Sequence, residues 1–313
     1  MLAAMPLITV VIPFRDRPEL LTRLLKSLDS GLNDRIELLF VDNNSGKEAS
    51  DLVQAFAQRH MGDADFPNIR IEREEKAGAA AARNRGLDKA QGKYVYFFDS
   101  DDELDTQMLR AAINMLPDAN VVAVGLQTNV VTPQGNQIPK PFDYTAAPKR
   151  QIVANNYATQ SLILLTEWAR THARWDERLN YWIDWEWALR ILLQRPVIDY
   201  LGGSWHHIYI HPHSITGSSY ASRVESIEKA IDIAREDIIN LTDNAAERAR
   251  LLYALDGRTL LYAGHIYNEG DREGAARLMR TVRPERLSLM RQWRLRLAYL
   301  LTRKGVRGAW RVI

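Results

Sequence analysis

Three carboxylates, Asp99, Asp101 and Asp102, fall within four consecutive positions directly after the apolar run Tyr94–Phe98. Carboxylates packed this closely repel one another and require a compensating charge. A turn with an Asp capping the next helix accounts for one of them, at most two. A hard divalent cation holding a diphosphate accounts for all three, because Mg2+ or Mn2+ takes oxygen ligands from one or two carboxylates together with phosphate. Asp42 stands in Val41-Asp42-Asn43-Asn44-Ser45, again just past an apolar run, where an Asx turn is the plainer reading. Arg83, Asn84 and Arg85 precede the acidic run. Their side chains either stay in solvent or bind a diphosphate through charge-assisted hydrogen bonds.

The elements that must position these groups follow from hydrophobic periodicity. Leu7–Pro13, Ile36–Val41, Ile69–Glu72, Lys93–Phe98 and Asn120–Val124 read as strands, the first of them apolar and β-branched as a doubly covered parallel strand is. Leu20, Leu21, Leu24, Leu25 and Leu28 recur at helical spacing behind Pro18. Ala49–Phe56, Ala77–Ala90 and Thr106–Leu116 complete the alternation, which implies right-handed crossovers and a mainly parallel sheet of the α/β class. In such sheets ligands bind beyond the carboxyl ends of strands where the strand order switches. Asp42 and Asp99 both follow such ends. Residues 132–150 read as a long loop. Residues 222–313 read as helical, with Ile227, Ile231, Ala234 and Ile238 on one stripe.

Composition bounds the function. The 313 residues include no cysteine, which excludes disulfides, thiolate metal sites and cysteine nucleophiles and suits a reducing cytoplasm. A net charge of +2 gives no argument for nucleic acid. No apolar run reaches the roughly 20 residues of a membrane span, and no signal-peptide pattern opens the chain. The C-terminal stretch is basic, with Arg283, Arg286, Arg291, Arg294, Arg296, Arg303, Lys304, Arg307 and Arg311 against Glu285 alone. Trp293, Leu295, Leu297, Tyr299, Leu300 and Leu301 interleave with these charges. Two readings stand, a solvated helix face and a foot on an anionic membrane surface. The expected location is cytoplasmic, or peripheral on the inner face of the membrane.

Taken in order, VVIPFRDRPELLTRLLKSL, VDNNS and AGAAAARNRGLDKAQGKYVYFFDSDDELD resemble the first half of family 2 glycosyltransferases of the GT-A fold, over about Leu7–Asp105. The resemblance implies an inverting, metal-dependent enzyme that takes a sugar from a nucleotide-sugar, with a UDP-sugar expected, and uses Mn2+ or Mg2+. It implies that Pro13, Phe14 and Asp42 border the nucleoside, that Arg83 helps hold base or diphosphate, and that Asp99 and Asp101 form the family's DxD pair, touching ribose and metal. Asp102 is left to cap the following helix. Asn43 departs from the second Asp that many members carry. LILLTEWARTHARWDERLNYWIDWEWALRILLQ resembles the family's later stretch, with Asp184 as the catalytic base and Ile183 where a Glu usually stands. A helix N-cap is the rival reading of Asp184, and Glu186 is a second candidate base. At least one of Trp182 and Trp185 can offer a face to a sugar ring, with core packing the plainer reading of each, while Trp187 packs in the core. HIYIHPHSITGS resembles a family motif that puts His211 near the metal or diphosphate, with Ser214 and Thr216 donating to phosphate. His206 and His207 read equally as surface loop histidines, and the spacing of the four histidines does not fit a zinc site. Residues 1–125 are the expected nucleotide-sugar-binding half, 126–220 the acceptor-binding half and 221–313 a helical basic region. The acceptor is expected to be a glycan or a lipid-linked glycan, as in polysaccharide biosynthesis.

Overall fold

The computed structural model describes residues 6–29, 31–116, 121–140, 142–210, 219–282, 288–306 and 308–313. The chain forms two compact units that interleave in sequence. Met1–Tyr144, Tyr157–Asn180 and Pro196–His211 make the first; Thr145–Asn156, Tyr181–Arg195 and Pro212–Ile313 make the second.

The first unit is an eight-stranded sheet. Its strands are β1 (Ile8–Phe14), β2 (Ile36–Asp42), β3 (Asn68–Arg73), β4 (Tyr94–Phe97), β5 (Ala123–Val131), β6 (Gln137–Pro139), β7 (Leu162–Leu165) and β8 (Ile198–Tyr209). They run in the order β3-β2-β1-β4-β7-β5-β6, with β8 also paired to β5. The pairs β1–β2, β2–β3, β1–β4 and β5–β8 are parallel. β7 is antiparallel to both β4 and β5, and β6 to β5. The stretch read as a loop at 132–150 therefore contains β6 and the start of a helix. Helices α1 (Pro18–Leu28), α2 (Lys47–Arg59), α3 (Ala79–Lys89), α4 (Thr106–Met115) and α6 (Thr166–His172) belong to this unit. α1 buries Leu21, Leu24, Leu25 and Leu28, the stripe its sequence spacing requires. α3 is alanine-rich because it lies close on β1. A Cβ on Gly86 would come within 2.2 Å of Val11 Cγ1, so only glycine permits this approach. The close packing of α3 on β1 fixes where Arg83 stands.

The second unit is helical: α5 (Pro148–Ala154), α7 (Ile183–Leu193), α8 (Val224–Leu241), α9 (Ala245–Asn268), α10 (Arg272–Met279) and α11 (Leu289–Arg303). The helical reading of the C-terminal stretch resolves into separate helices because caps interrupt it. Asn244 accepts from the Glu247 N–H at 3.0 Å and Asp271 from the Gly274 N–H at 2.8 Å, each starting a new helix. Ile227, Ile231, Ala234 and Ile238 are buried, as are Tyr253, Leu260, Leu261, Leu295 and Ala298. Among the described residues no helix is long and apolar enough to cross a membrane.

Candidate functional site

The strand order reverses at β1, which has β2 on one side and β4 on the other. Sheets of this kind bind ligands in the crevice beyond the carboxyl ends at such a point. Pro13 and Phe14 end β1, Asp42 ends β2, and Asp99 follows β4. The Phe14 ring is in the core, edge-on to Phe40 at 6.4 Å, so Phe14 can meet a ligand only through its backbone. Its carbonyl already accepts from the Asn43 N–H at 3.0 Å. Asp42 is buried in a turn, accepting from the Ser45 N–H at 2.7 Å and the Ser50 hydroxyl at 2.9 Å. Asn43 has a local structural cause. Its amide donates to the carbonyls of Glu74 (3.1 Å) and Lys76 (2.8 Å) and accepts from the Gly78 N–H (2.8 Å). A carboxylate could make only the last of these bonds. Asn43 thus shapes the entry into α3, at which Gly78 has a φ of +132° that side chains rarely adopt.

Arg83 on α3 is buried, with its guanidinium carbon 4.4 Å from the Trp175 ring centroid. Its Nη2 donates to Asp99 Oδ1 at 2.6 Å, while its buried Nε has no partner among the described residues. Asp101 pairs with Arg17 Nη1 at 3.3 Å, and Arg23 Nη2 donates to the Asp101 carbonyl. Asp16 and Arg17 take φ values of 53° and 56°, an uncommon left-handed pair for residues with side chains, and this turn brings Arg17 to Asp101. Asp102 does not cap α4. The cap is Asp105, whose Oδ1 accepts the N–H groups of Gln107 (2.9 Å) and Met108 (3.1 Å). Asp102 stands too early in the chain for that role. It is buried instead, accepting from Gln160 Nε2 at 2.7 Å and the Tyr209 N–H at 2.9 Å, and so ties the end of β4 to β8. Burial first, then the charges of Asp101 and Asp99, push its carboxyl well above the usual range. Gln160 also reaches Asp99 Oδ2 at 3.3 Å. Arg17 and Gln160 carry no signal in sequence, because distant segments bring them here.

These residues fit a divalent cation. Asp99 and Asp101 are partly exposed oxygen donors, the atom type that hard divalent cations take. Among the described residues no group of three or more His, Asp or Glu is arranged to hold an ion unaided. One or two carboxylates completed by ligand phosphates is the donor set Mg2+ and Mn2+ use. His211, Ser214 and Thr216 lie outside the described residues.

His206 is not a loop residue. It is fully buried in β8, hydrogen-bonded through Nε2 to the Tyr96 hydroxyl, with Nδ1 accepting from the Asp105 N–H at 3.3 Å. Burial, with a smaller contribution from His207, pushes its pKa down to about 3. The unfolded chain titrates near 6.5, so between these values it binds more protons than the fold does. Stability from His206 is full above about pH 6.5 and is lost as pH falls, at about 1.4 kcal/mol per unit. Urea unfolding between about pH 7 and about pH 5 should show this slope, and His206→Gln should flatten it. A wild-type profile with no slope would contradict the assignment.

In the second unit Asp184 stands in the first turn of α7, partly exposed, where a carboxylate suits the positive end of the helix dipole. It is not the N-cap; Trp182 holds that position with φ 55° and makes no side-chain capping bond. Arg258 on α9 is buried, 4.2 Å from the Trp182 ring and 4.4 Å from the Trp185 ring, and its Nη1 donates to the Ile152 carbonyl at 2.8 Å. Burial lowers its pKa, and the nearby Tyr262 and Asp184 oppose that shift. Sequence reading missed Arg258, although a lone cation inside Leu251–Tyr262 was a visible signal. Glu186 is fully buried and paired with Arg190 Nε at 2.6 Å. Trp187 and Trp185 are core residues, Trp185 donating to the Gln151 carbonyl at 3.0 Å. Trp182 alone of the three keeps partial exposure, packing its ring 4.4 Å from Tyr262.

A cavity of about 1250 Å3 lies elsewhere. Pro6, Asp34, Asn68 and Gly92 line it at the amino-terminal ends of the strands, away from the acidic run. Volume alone therefore does not find the chemistry.

Residues 9–170, just over half of the chain, match Glycosyl transferase family 2. Over 108 residues the chain is 28% identical to the uncharacterized glycosyltransferase YibD of Escherichia coli, covering 34% of this chain and 30% of that protein. Over 100 residues it is 32% identical to the GalNAc(5)-diNAcBac-PP-undecaprenol beta-1,3-glucosyltransferase of Campylobacter jejuni, covering 32% of this chain and 31% of that protein. The matches thus span about a third of these relatives' length. Among solved structures, S. aureus TarS 1-349 in complex with UDP-GlcNAc superposes with a TM-score of 0.68 at 17% identity, over 97% of this chain and 89% of that one. The mannosyltransferase PcManGT from Pyrobaculum calidifontis, in complex with GDP-Man and Mn2+, gives 0.59 at 16%, over 99% and 85%. These likenesses carry the GT-A fold, and with the family match they lead to one conclusion: the chain belongs to glycosyl transferase family 2.

Proposed function

We propose that the protein is an inverting glycosyltransferase that moves a sugar from a UDP-sugar to a glycan or lipid-linked acceptor, with Mn2+ or Mg2+ held at the acidic run. The observation that carries this reading is the buried Arg83 donating to Asp99 beside Asp101, at the strand-order switch. Pro13, the Phe14 backbone and Asp42 border the nucleoside. Asp99 faces the ribose, oriented by Arg83 and Gln160. Asp101, with His211, would hold the cation. A divalent ion bound there neutralises the charge that develops on the leaving diphosphate. Asp184 takes the proton from the acceptor hydroxyl as that oxygen attacks the anomeric carbon from the face opposite the diphosphate. A single displacement of this kind inverts the anomeric centre and needs no carboxylate nucleophile. The partial exposure of Asp184, against the burial of Glu186, supports Asp184 as the base. The donor complexes of TarS and PcManGT support a nucleotide-sugar as the substrate class.

The test is a panel of UDP- and GDP-sugars with Mn2+, read by thermal stabilisation and by release of nucleoside diphosphate. A true donor at about 100 times its Kd adds about 2.7 kcal/mol of stability. One UDP-sugar should stabilise and turn over. Binding without any turnover would leave a nucleotide-sugar-binding protein with no transferase activity.

A further inference from the structure

We infer that α11 is a docking face for an anionic membrane surface. Its inner side, Leu295, Ala298 and Thr302, is buried in the second unit. At 3.6 residues per turn, Leu289, Trp293 and Leu300 fall within roughly 40° of one another on the opposite side. They are strongly exposed, Leu289 at 83% and Trp293 at 62%, and Met290 beside them is exposed as well. Scattered apolar residues on a surface are ordinary, but a helical stripe headed by Leu and Trp is not. Arg296 and Arg303 border the stripe, each within roughly 60° of its centre. From Leu289 to Ile313 the sequence has seven Lys or Arg and no Asp or Glu. Arg294 and Arg303 donate to the neutral Val312 carbonyl (2.8 Å) and Tyr267 hydroxyl (2.7 Å), and among the described residues neither is paired with a carboxylate.

The chemistry of the occupant follows from both features together. A purely solvated basic face has no use for the apolar stripe. A second copy of the same face would set these cations against cations, which disfavours self-pairing. An acidic lipid bilayer meets both needs, since acyl chains receive Leu289, Trp293 and Leu300 while headgroup phosphates face the arginines. Neither the donor nor Asp184 enters into this assignment, so it stands or falls apart from the proposed reaction.

The experiment is co-sedimentation of the full chain with phosphatidylcholine vesicles, with and without phosphatidylglycerol. The protein should bind the anionic vesicles at least about tenfold more tightly than the neutral ones and release in high salt. Trp293→Ser and Arg296→Glu, both at exposed positions, should each weaken binding about tenfold while the far-ultraviolet circular dichroism spectrum is unchanged. Equal binding to both vesicle types, no binding, or variants that bind like wild type would overturn the inference. So would sedimentation velocity showing a dimer that Trp293→Ser dissolves, which would assign the face to a second copy.

Discussion

Asp184→Asn is expected to lower sugar transfer by about 10²–10⁴-fold, the usual contribution of a positioned general base. Donor affinity should stay near that of wild type, because the residues proposed to bind the nucleotide belong to the first unit. Asparagine keeps the shape of the first turn of α7 but cannot take a proton. The exchange therefore separates chemistry from folding more cleanly than alanine would. The partial exposure of Asp184 leaves its carboxylate accessible to an acceptor hydroxyl. The measurement is a single-turnover transfer assay alongside calorimetric donor titration. Full activity in the variant would return the base to another group, Glu186 first, despite its burial and its pairing with Arg190.

Asp101→Ala is expected to weaken metal-dependent nucleotide binding by at least about 100-fold, since changes merely behind a metal's ligands cost roughly 10–100-fold. The substitution removes the carboxylate that Arg17 reaches across the crevice. It also relieves some of the like-charge pressure on Asp102, so the fold itself should not suffer. Titration with UDP in Mn2+ should show no saturable heat in the variant, at an unchanged thermal midpoint without ligand. Wild-type affinity in Asp101→Ala would remove Asp101 from the metal assignment.

Local pattern made the first half of the fold legible. The apolar β-branched run of β1, the leucine spacing of α1 and the alanine-rich α3 each state their element in a few residues. The order of the strands was not legible. β7 lies between β4 and β5 in the sheet, yet it comes from a segment beyond both, and only long-range pairing sets that order. The acidic run was visible as a cluster, but its division of labour was not. Asp105, one residue before Thr106, is the better capping position by spacing. Asp102 had to be seen against Gln160 and Tyr209, which are remote in sequence. The Phe14 side chain is a similar case, since a strand-end aromatic can face core or ligand and only the packing on Phe40 decides. His206 sits among neighbouring histidines that look alike in sequence, and the pleat of β8 turns it inward. Asn43 looked like a simple departure from a family pattern until its two donated bonds to Glu74 and Lys76 gave it a task an aspartate could not perform.

On the proposed reading, a nucleoside diphosphate binds at the β1–β4 switch with a divalent cation held by the acidic run. Calorimetric titration of the wild-type chain with UDP tests it most directly, first with Mn2+ present and then with a chelator. The expected result is one saturable site per chain that chelation abolishes. Binding that is indifferent to the chelator, or no binding of UDP or GDP under either condition, would contradict it.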